Sequence, residues 1–435
     1  MEAVKTDYLE QLLSGLASLP AGSGGWLRTL RSEALEHANA LPAPTTRDEE
    51  WRFTDLSPLY RTAFQRTGAM QEIAAAEIAG FLLPEAATRL VFIDGHYAAQ
   101  LSRIAPAGGL TVGPLAAAAQ EQNALMSQHL GRYADFRAEP FVALNTAWLQ
   151  DGAFIAVARD HAAIAEPVHL LFVSTRPEAV SYPRILLVAQ PGSDCILVED
   201  YAALHEGAYL TNAVTEIAVE PNARVAHVRL QREAKAAFHI STCGVRLGRD
   251  ARYQCVSAAL GGRISRYNVG VVQAGEGAEC RLDGLALIEG RQLADTHSVM
   301  DHTLPNGRSR QLHKCIVGGA AHAVFNGKIF VREGAQLTDS AQESRNLLLT
   351  DKARVDTKPQ LEIFADDVKC AHGATVGQLD PDQLFYLTSR GLDGATAREL
   401  LTFAFAAEVV ERIPVPTLVT RLAGTVVHRT RGKHG

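Results

Sequence analysis

From about Phe141 onward the apolar positions fall into short runs, VHLLFVS, RILLVAQP, CILVED, LTNAVTEIAVE, ARVAHVRLQ and YQCVSAAL, with little helical periodicity between them. Runs of this length, rich in Val, Ile and Leu and bounded by turn residues, predict strands. The turns recur. Corners at Gly192-Ser193-Asp194, Pro221-Asn222-Ala223, Arg249-Asp250-Ala251, Glu276-Gly277-Ala278, Pro305-Asn306-Gly307 and Glu333-Gly334-Ala335 have last residues 29, 28, 27, 29 and 28 positions apart. A strand-only region with a repeat this regular is what a solenoid produces, since each coil buries its face only against the next. A parallel β-helix over about Glu166 to Val376 is therefore expected in preference to a sandwich or barrel. Corners at Lys352-Ala353 and Asp367-Val368 come at shorter intervals, so the repeat either tightens or ends there.

The flanks read as helices. Leu9, Leu12, Leu13 and Leu16 recur at helical spacing, Gly22-Ser23-Gly24-Gly25 interrupts, and Trp26 to Asn39 resumes until Pro42 and Pro44. In Thr45 to Asp55, threonines precede acids and Trp51, which suits a helix start carrying an aromatic packing anchor. Between Arg89 and Ile104, LVFID, a turn at Gly95 and YAAQLSRI predict strands, and Ala116 to Leu130 returns to helix. Near the other end, Asp380 caps a helix with Pro381 in its first turn, Leu384, Phe385 and Leu387 on its apolar face, and Gly391 as its stop. A second helix, Ala395 to Arg412, carries Leu400, Leu401, Phe403, Ala404, Phe405, Val409 and Val410 and ends before Pro414. So broad an apolar surface either packs on the preceding elements or offers itself to a partner. The basic stretch Arg421 to Gly435 reads as a solvated tail. Three regions result: 1-140, mostly helical with a few strands; 141-376, the β-helix; and 377-435, helical.

Composition narrows the function classes. The net charge of −6 argues against a general nucleic-acid binder, and 47% hydrophobic residues suffice for a large core. No run approaches the roughly 18 apolar residues of a membrane span, and the start of the chain lacks a secretion-signal layout, so a cytoplasmic location is expected. Six cysteines without a CxxC pair fit reduced thiols. Phosphate-binding GxxxxGK[ST], GxGxxG, HExxH and GxSxG motifs are all missing, which points away from the common catalytic engines.

The chemistry concentrates between Val355 and Asp380. Leu361, Ile363 and Phe364 form an apolar run closed by Ala365-Asp366-Asp367, the composition of a buried strand ending in a turn. Cys370 and His372 follow, and on an extended segment a spacing of two puts thiol and imidazole on one face. Both are ligands for iron or zinc, yet two ligands do not complete a site, and buried Cys and His are more often inert packing and hydrogen-bonding groups. His313 and Cys315 repeat the spacing within a histidine-rich stretch from His297 to His322, so two such pairs on neighbouring coils are weak candidates for a shared site.

Several strings carry a family likeness: VFNGKIFV at 324-331, RNLLLTDKARVDTKPQLEIFADDVKCAHGATVGQLD at 345-380, LFYLTSRGL at 384-392, EEWRFTDL at 49-56 and FVALNTA at 141-147. They resemble the SufB/SufD family of scaffold subunits for iron–sulfur cluster assembly, and Gly373 favours the SufD branch. The resemblance implies a right-handed parallel β-helix between helical N- and C-terminal regions. It implies a non-enzymatic chain that pairs with SufB, or with a second copy when isolated, and docks the SufC ATPase through its C-terminal helices. Leu384, Phe385, Leu400, Phe403 and Phe405 would supply that docking face. The family's functional histidine falls on His372, beside Cys370, where iron or a transient iron–sulfur cluster is handled at the SufB interface. Reduced FAD in the full complex is also implied, with no residue assigned. A SufB-like cluster carrier and, more remotely, a β-helix enzyme acting on polysaccharides are the alternatives.

Overall fold

Each apolar run from Val168 onward is a strand, and successive strands alternate between two parallel sheets. The computed structural model describes residues 12–13, 25–106, 108–161 and 166–430. One sheet runs from Arg354–Ile363 through His322–Val331, Leu293–His302, Ile264–Gln273, Phe238–Leu247 and Leu210–Val219 to Arg184–Ala189. The other runs from Val368–Gly377 through Thr338–Leu348, Arg308–Val317, Glu279–Ile288, Arg252–Ala259 and Arg224–Gln231 to Asp194–Ala203. Pairing is strictly parallel along both, so the chain is a parallel β-solenoid, as the corner repeat predicts. Among the described residues antiparallel pairing is confined to where the chain enters: Leu110–Pro114 against Ala153–Val157, Thr88–Ile93 against His96–Tyr97, and a bridge between Arg89 and Arg103.

The corners explain the repeat. Gly192, Asn222, Asp250, Gly277 and Asn306 all have φ between 53° and 73°, a left-handed backbone that Gly, Asn and Asp adopt at least cost. Each donates its amide to the next corner, from Gly192 to the Pro221 carbonyl (3.0 Å) down to Asn306 to Gln336 (2.9 Å). Lys352-Ala353 lies on the opposite corner of the coil, so the shorter interval marks a different series and the repeat does not tighten. The corner at 333–335 is shifted: the left-handed residue is Leu337 (φ 60°), which donates to Asp367. Leucine pays the steric penalty that the other corners avoid. We expect Leu337→Asn to stabilise the chain by about 1 kcal/mol, read as a higher urea midpoint at unchanged slope. A lowered midpoint would mean that the leucine side chain offsets its backbone strain within the isolated chain.

Inside, stacked Phe92, Phe172 and Tyr201 rings fill the first coils at centroid spacings of 4.9 and 5.1 Å. The middle coils hold buried charge. Burial opposes ionisation of Glu199, yet His227 (3.1 Å), Arg229 (3.9 Å) and the Tyr201 hydroxyl (2.5 Å) hold its carboxyl down to about 2.

Two strings that carry the family likeness turn out to fasten the N-terminal helices to the solenoid. In FVALNTA, Asn145 donates to the Pro183 and Asn212 carbonyls, and Asn145 and Thr146 accept from buried Arg184. Arg184 also pairs with fully buried Glu216 (2.5 Å), which accepts the four consecutive amides of Gly131, Arg132, Tyr133 and Ala134. In EEWRFTDL, Trp51 is the expected packing anchor, buried against Phe141 with Arg266 over its ring at 4.0 Å. Thr54 and Arg266 bond Asp295, and Glu50 bonds His297. The helix predicted at Trp26 to Asn39 spans Gly25–Ala40, whereas that predicted at Ala116 to Leu130 is split into Leu115–Glu121 and Asn123–His129. Leu9 and Leu16 lie outside the described residues.

Two expectations need correction. Arg421 to Thr430 is not a solvated tail but part of a third C-terminal helix, Pro416–Thr430, whose Leu418, Leu422 and Val426 are buried. Arg421 and Arg429 face inward to bond the carbonyls of Leu82, Leu260 and Leu287. Residues 431–435 lie outside the described set. The Leu361 to Phe364 run is a strand but not a buried one: Ile363 is 40% and Phe364 59% exposed. It belongs to the last coil, and no further coil covers it.

Candidate functional site

The last coil consists of the strands Arg354–Ile363 and Val368–Gly377, each paired on one side only among the described residues. Two ten-residue strands with open backbone edges thus end the solenoid, an arrangement that invites pairing with another chain. Leu337 (54%) and Val376 (50%) join Ile363 and Phe364 as exposed apolar residues around this end.

Cys370 and His372 lie on the face of the last strand that points along the lumen. Cys370 is half-buried on the core and stands in register over Ser340 and Ser309; His372 is exposed and stands over Gln342 and Gln311. Each therefore tops a hydrogen-bonded column. Below Cys370, Ser340 bonds Ser309 (2.6 Å), which bonds His302 (3.0 Å). Below His372, Gln342 bonds Gln311 (2.8 Å), which bonds Ser298. The Oε1 of Gln342 is buried without a partner, an acceptor directly beneath the histidine that needs a donor. Burial pushes the Cys370 thiol up, favouring its protonated form. His372 makes no hydrogen bond among the described residues.

The second pair does not converge on the first. His313 and Cys315 are lumen-facing but stand under Ser344 and Asn346, and these under Ala374 and Val376, so they belong to other columns and lie two coils deeper. His313 stacks on Phe325 (centroids 4.6 Å apart) and burial lowers its pKa to about 4, while burial raises the Cys315 thiol to about 12. His313 is therefore neutral and the Cys315 thiol protonated at neutral pH, and both are closed inside the lumen away from the exposed pair. The remaining histidines disperse: His297 outside against Glu50 and Asp295, His302 in the lumen, His322 outside against Asp356.

On the outer side, a cavity of about 530 Å³ next to His372 is lined by Glu343, Arg310, Asp283, Glu408 and Arg412. Glu408 reaches Lys314 (2.6 Å) and Arg345 (3.1 Å), and Arg412 reaches Asp283 (2.5 Å), so an ionic strap ties the second C-terminal helix to the sheet. That helix is Gly394–Val410, preceded by Pro381–Ser389. Phe403 and Phe405 pack half-buried toward the solenoid, Phe405 under the Lys314 ammonium at 4.6 Å. Phe385 (74% exposed), Tyr386 (58%) and Leu400 (46%) face outward, with half-buried Leu384 beside them. A shallow apolar cleft between the two helices is lined by Tyr386, Leu387, Leu400, Leu401 and Ala404.

Residues 172–405 match the family model described as SUF system FeS cluster assembly, SufBD core domain, and residues 2–170 match the SufBD protein N-terminal region. The chain belongs to the SufBD family. A SufBD family protein of Synechocystis, slr0076, is 40% identical over 92% of this chain and 90% of its own length. The chloroplastic protein ABCI7 of Arabidopsis thaliana is 34% identical over 93% of this chain and 86% of its own. The iron-sulfur cluster assembly protein SufD of Escherichia coli is 33% identical over 89% of this chain and 90% of its own.

Within this SufBD chain, sequence reasoning missed Gln342, Glu343, Glu408 and Arg412. The Glu408–Arg412 spacing is that of a helical ion pair and was readable. The position of Gln342 under His372 was not, because it depends on how one coil registers on the next.

Proposed function

We propose that the chain is a SufD-like scaffold subunit. Its open solenoid end pairs with SufB, its outward C-terminal face holds a SufC ATPase, and His372 works at the SufB junction on iron or a nascent cluster supplied as cargo. The observation that carries this reading is the coincidence of unpaired strand edges, an exposed apolar rim and the Cys370/His372 pair on one coil. An edge of this kind is completed by strand addition, which would bring partner side chains within reach of His372. The chain itself catalyses no ATP hydrolysis in this reading.

The docking face is Phe385, Tyr386 and Leu400 with Leu384; Phe403 and Phe405 support it from behind. Co-purification separates the two surfaces. With SufB and SufC co-expressed, Phe364→Asp/Val376→Asp should lower SufB capture by more than about tenfold and leave SufC bound. Phe385→Asp/Leu400→Asp should do the reverse. All four positions are exposed, so the fold survives in both. Normal recovery of both partners by either variant would remove that surface from the proposal.

A further inference from the structure

A second cavity, of about 930 Å³, lies along the corners that lead from one sheet back to the other, as far as Leu349 and Thr350 ahead of the last coil. Its size is at the upper end of small-molecule sites. The walls are aliphatic, from Ile264, Leu287, Ile288, Leu293 and Leu349, with Pro58 from the N-terminal region closing one side. No aromatic ring lines it.

Its charge runs against the rest of the chain. Lys235, Arg263, Arg291 and Arg429 face Asp55 and Glu289, four cations to two carboxylates, in a protein whose net charge is −6. Lys235 is paired with Glu289 at 2.8 Å, and Arg429 is held on the Leu260 and Leu287 carbonyls. Arg263 and Arg291 are exposed and have no carboxylate partner among the described residues. Beside them the corners are built from glycine: Gly290 and Gly319 have φ of 67° and 64°, and a Cβ on Gly319 would lie 2.7 Å from the Gly290 nitrogen. The Gly290 and Gly319 amides donate to no acceptor among the described residues. Guanidinium forks without a carboxylate partner and unengaged amides next to an aliphatic hollow are complementary to a dianionic head on an apolar body.

We infer that this cavity binds a phosphate-monoester amphiphile, with the phosphate between Arg263 and Arg291 and the aliphatic part inside. The inference does not rest on the scaffold reading, since the two sites share no residue.

Titration calorimetry on the full chain tests it with decyl phosphate kept below its critical micelle concentration. One decyl phosphate per chain is expected. Decanol, which lacks the head, and inorganic phosphate, which lacks the body, should each bind at least about tenfold more weakly. Arg263→Ala/Arg291→Ala should weaken decyl phosphate by about a hundredfold. Both side chains are exposed, so folding is unaffected. Ala236→Trp, filling the cavity from a half-exposed loop, should abolish binding. Decanol binding as tightly as decyl phosphate, inorganic phosphate binding as tightly, or unchanged affinity in either variant would overturn the assignment, as would no binding at all.

Discussion

His372→Ala and His372→Gln are both expected to abolish cluster delivery in cells that depend on this chain, with the proposed complex still assembling. The structure sharpens this expectation. His372 is exposed, makes no hydrogen bond among the described residues and packs on no core, so its removal costs the isolated fold well under 1 kcal/mol. A structural role would need a bond to lose, and within the described chain there is none. Imidazole can ligate ferrous iron or relay a proton at neutral pH, whereas the carboxamide of glutamine, though similar in reach, does neither well. Loss of a residue in such a role lowers output by roughly a hundredfold or more. Cys370→Ser is expected to be milder, because its thiol is half-buried and burial favours its protonated form. The measurement is activity of an iron–sulfur enzyme in a strain carrying each variant, with co-purification as the assembly control. Normal enzyme activity with His372→Gln in an intact complex would return this residue to the solvated surface.

Glu216→Ala is expected to destabilise the N-terminal region by about 4 kcal/mol or more. Removing one partner of a buried ion pair leaves an uncompensated charge, costing about 3–5 kcal/mol, and each orphaned amide adds about 1–3 more before relaxation. Here Arg184 is the stranded charge, and the amides of Gly131 to Ala134 are the orphans. The double variant Arg184→Met/Glu216→Leu removes the charge but not the orphan amides, so it should recover only part of the loss. Denaturant unfolding would give the magnitude. Hydrogen exchange would locate it, with protection lost first in Asn123–Ala147 and kept in the middle coils. A change below about 1 kcal/mol in Glu216→Ala would show that water replaces the carboxylate at this junction.

The solenoid was legible because its corners need a left-handed residue, and Gly192, Asn222, Asp250, Gly277 and Asn306 meet that need at near-constant spacing. The Cys370/His372 pair was legible because side chains on a strand alternate. What was not legible depends on neighbours. Pro414 reads as the end of the last helix, but Pro416 opens another, in a position where proline is tolerated. The Leu361 to Phe364 run has the composition of a core strand, and only the missing next coil leaves it half in solvent. The histidines from His297 to His322 are near in sequence, yet they divide between the lumen and the outer faces: His297 and His302 sit five residues apart on one strand and so point oppositely, and His313 and His322 ride on the two strands that follow.

The last coil has a coil on one side only, so its stability comes from a single interface where every inner coil has two. It is the segment of the solenoid most prone to local opening, and Cys370 and His372 both ride on it. A partner that adds strands to Arg354–Ile363 and Val368–Gly377 would supply the second interface, so capture of the partner and ordering of the site become one equilibrium. The measured affinity is then the intrinsic one multiplied by the fraction of time the coil is closed. Substitutions that only loosen this coil, far from any contact, would weaken the complex by that same fraction.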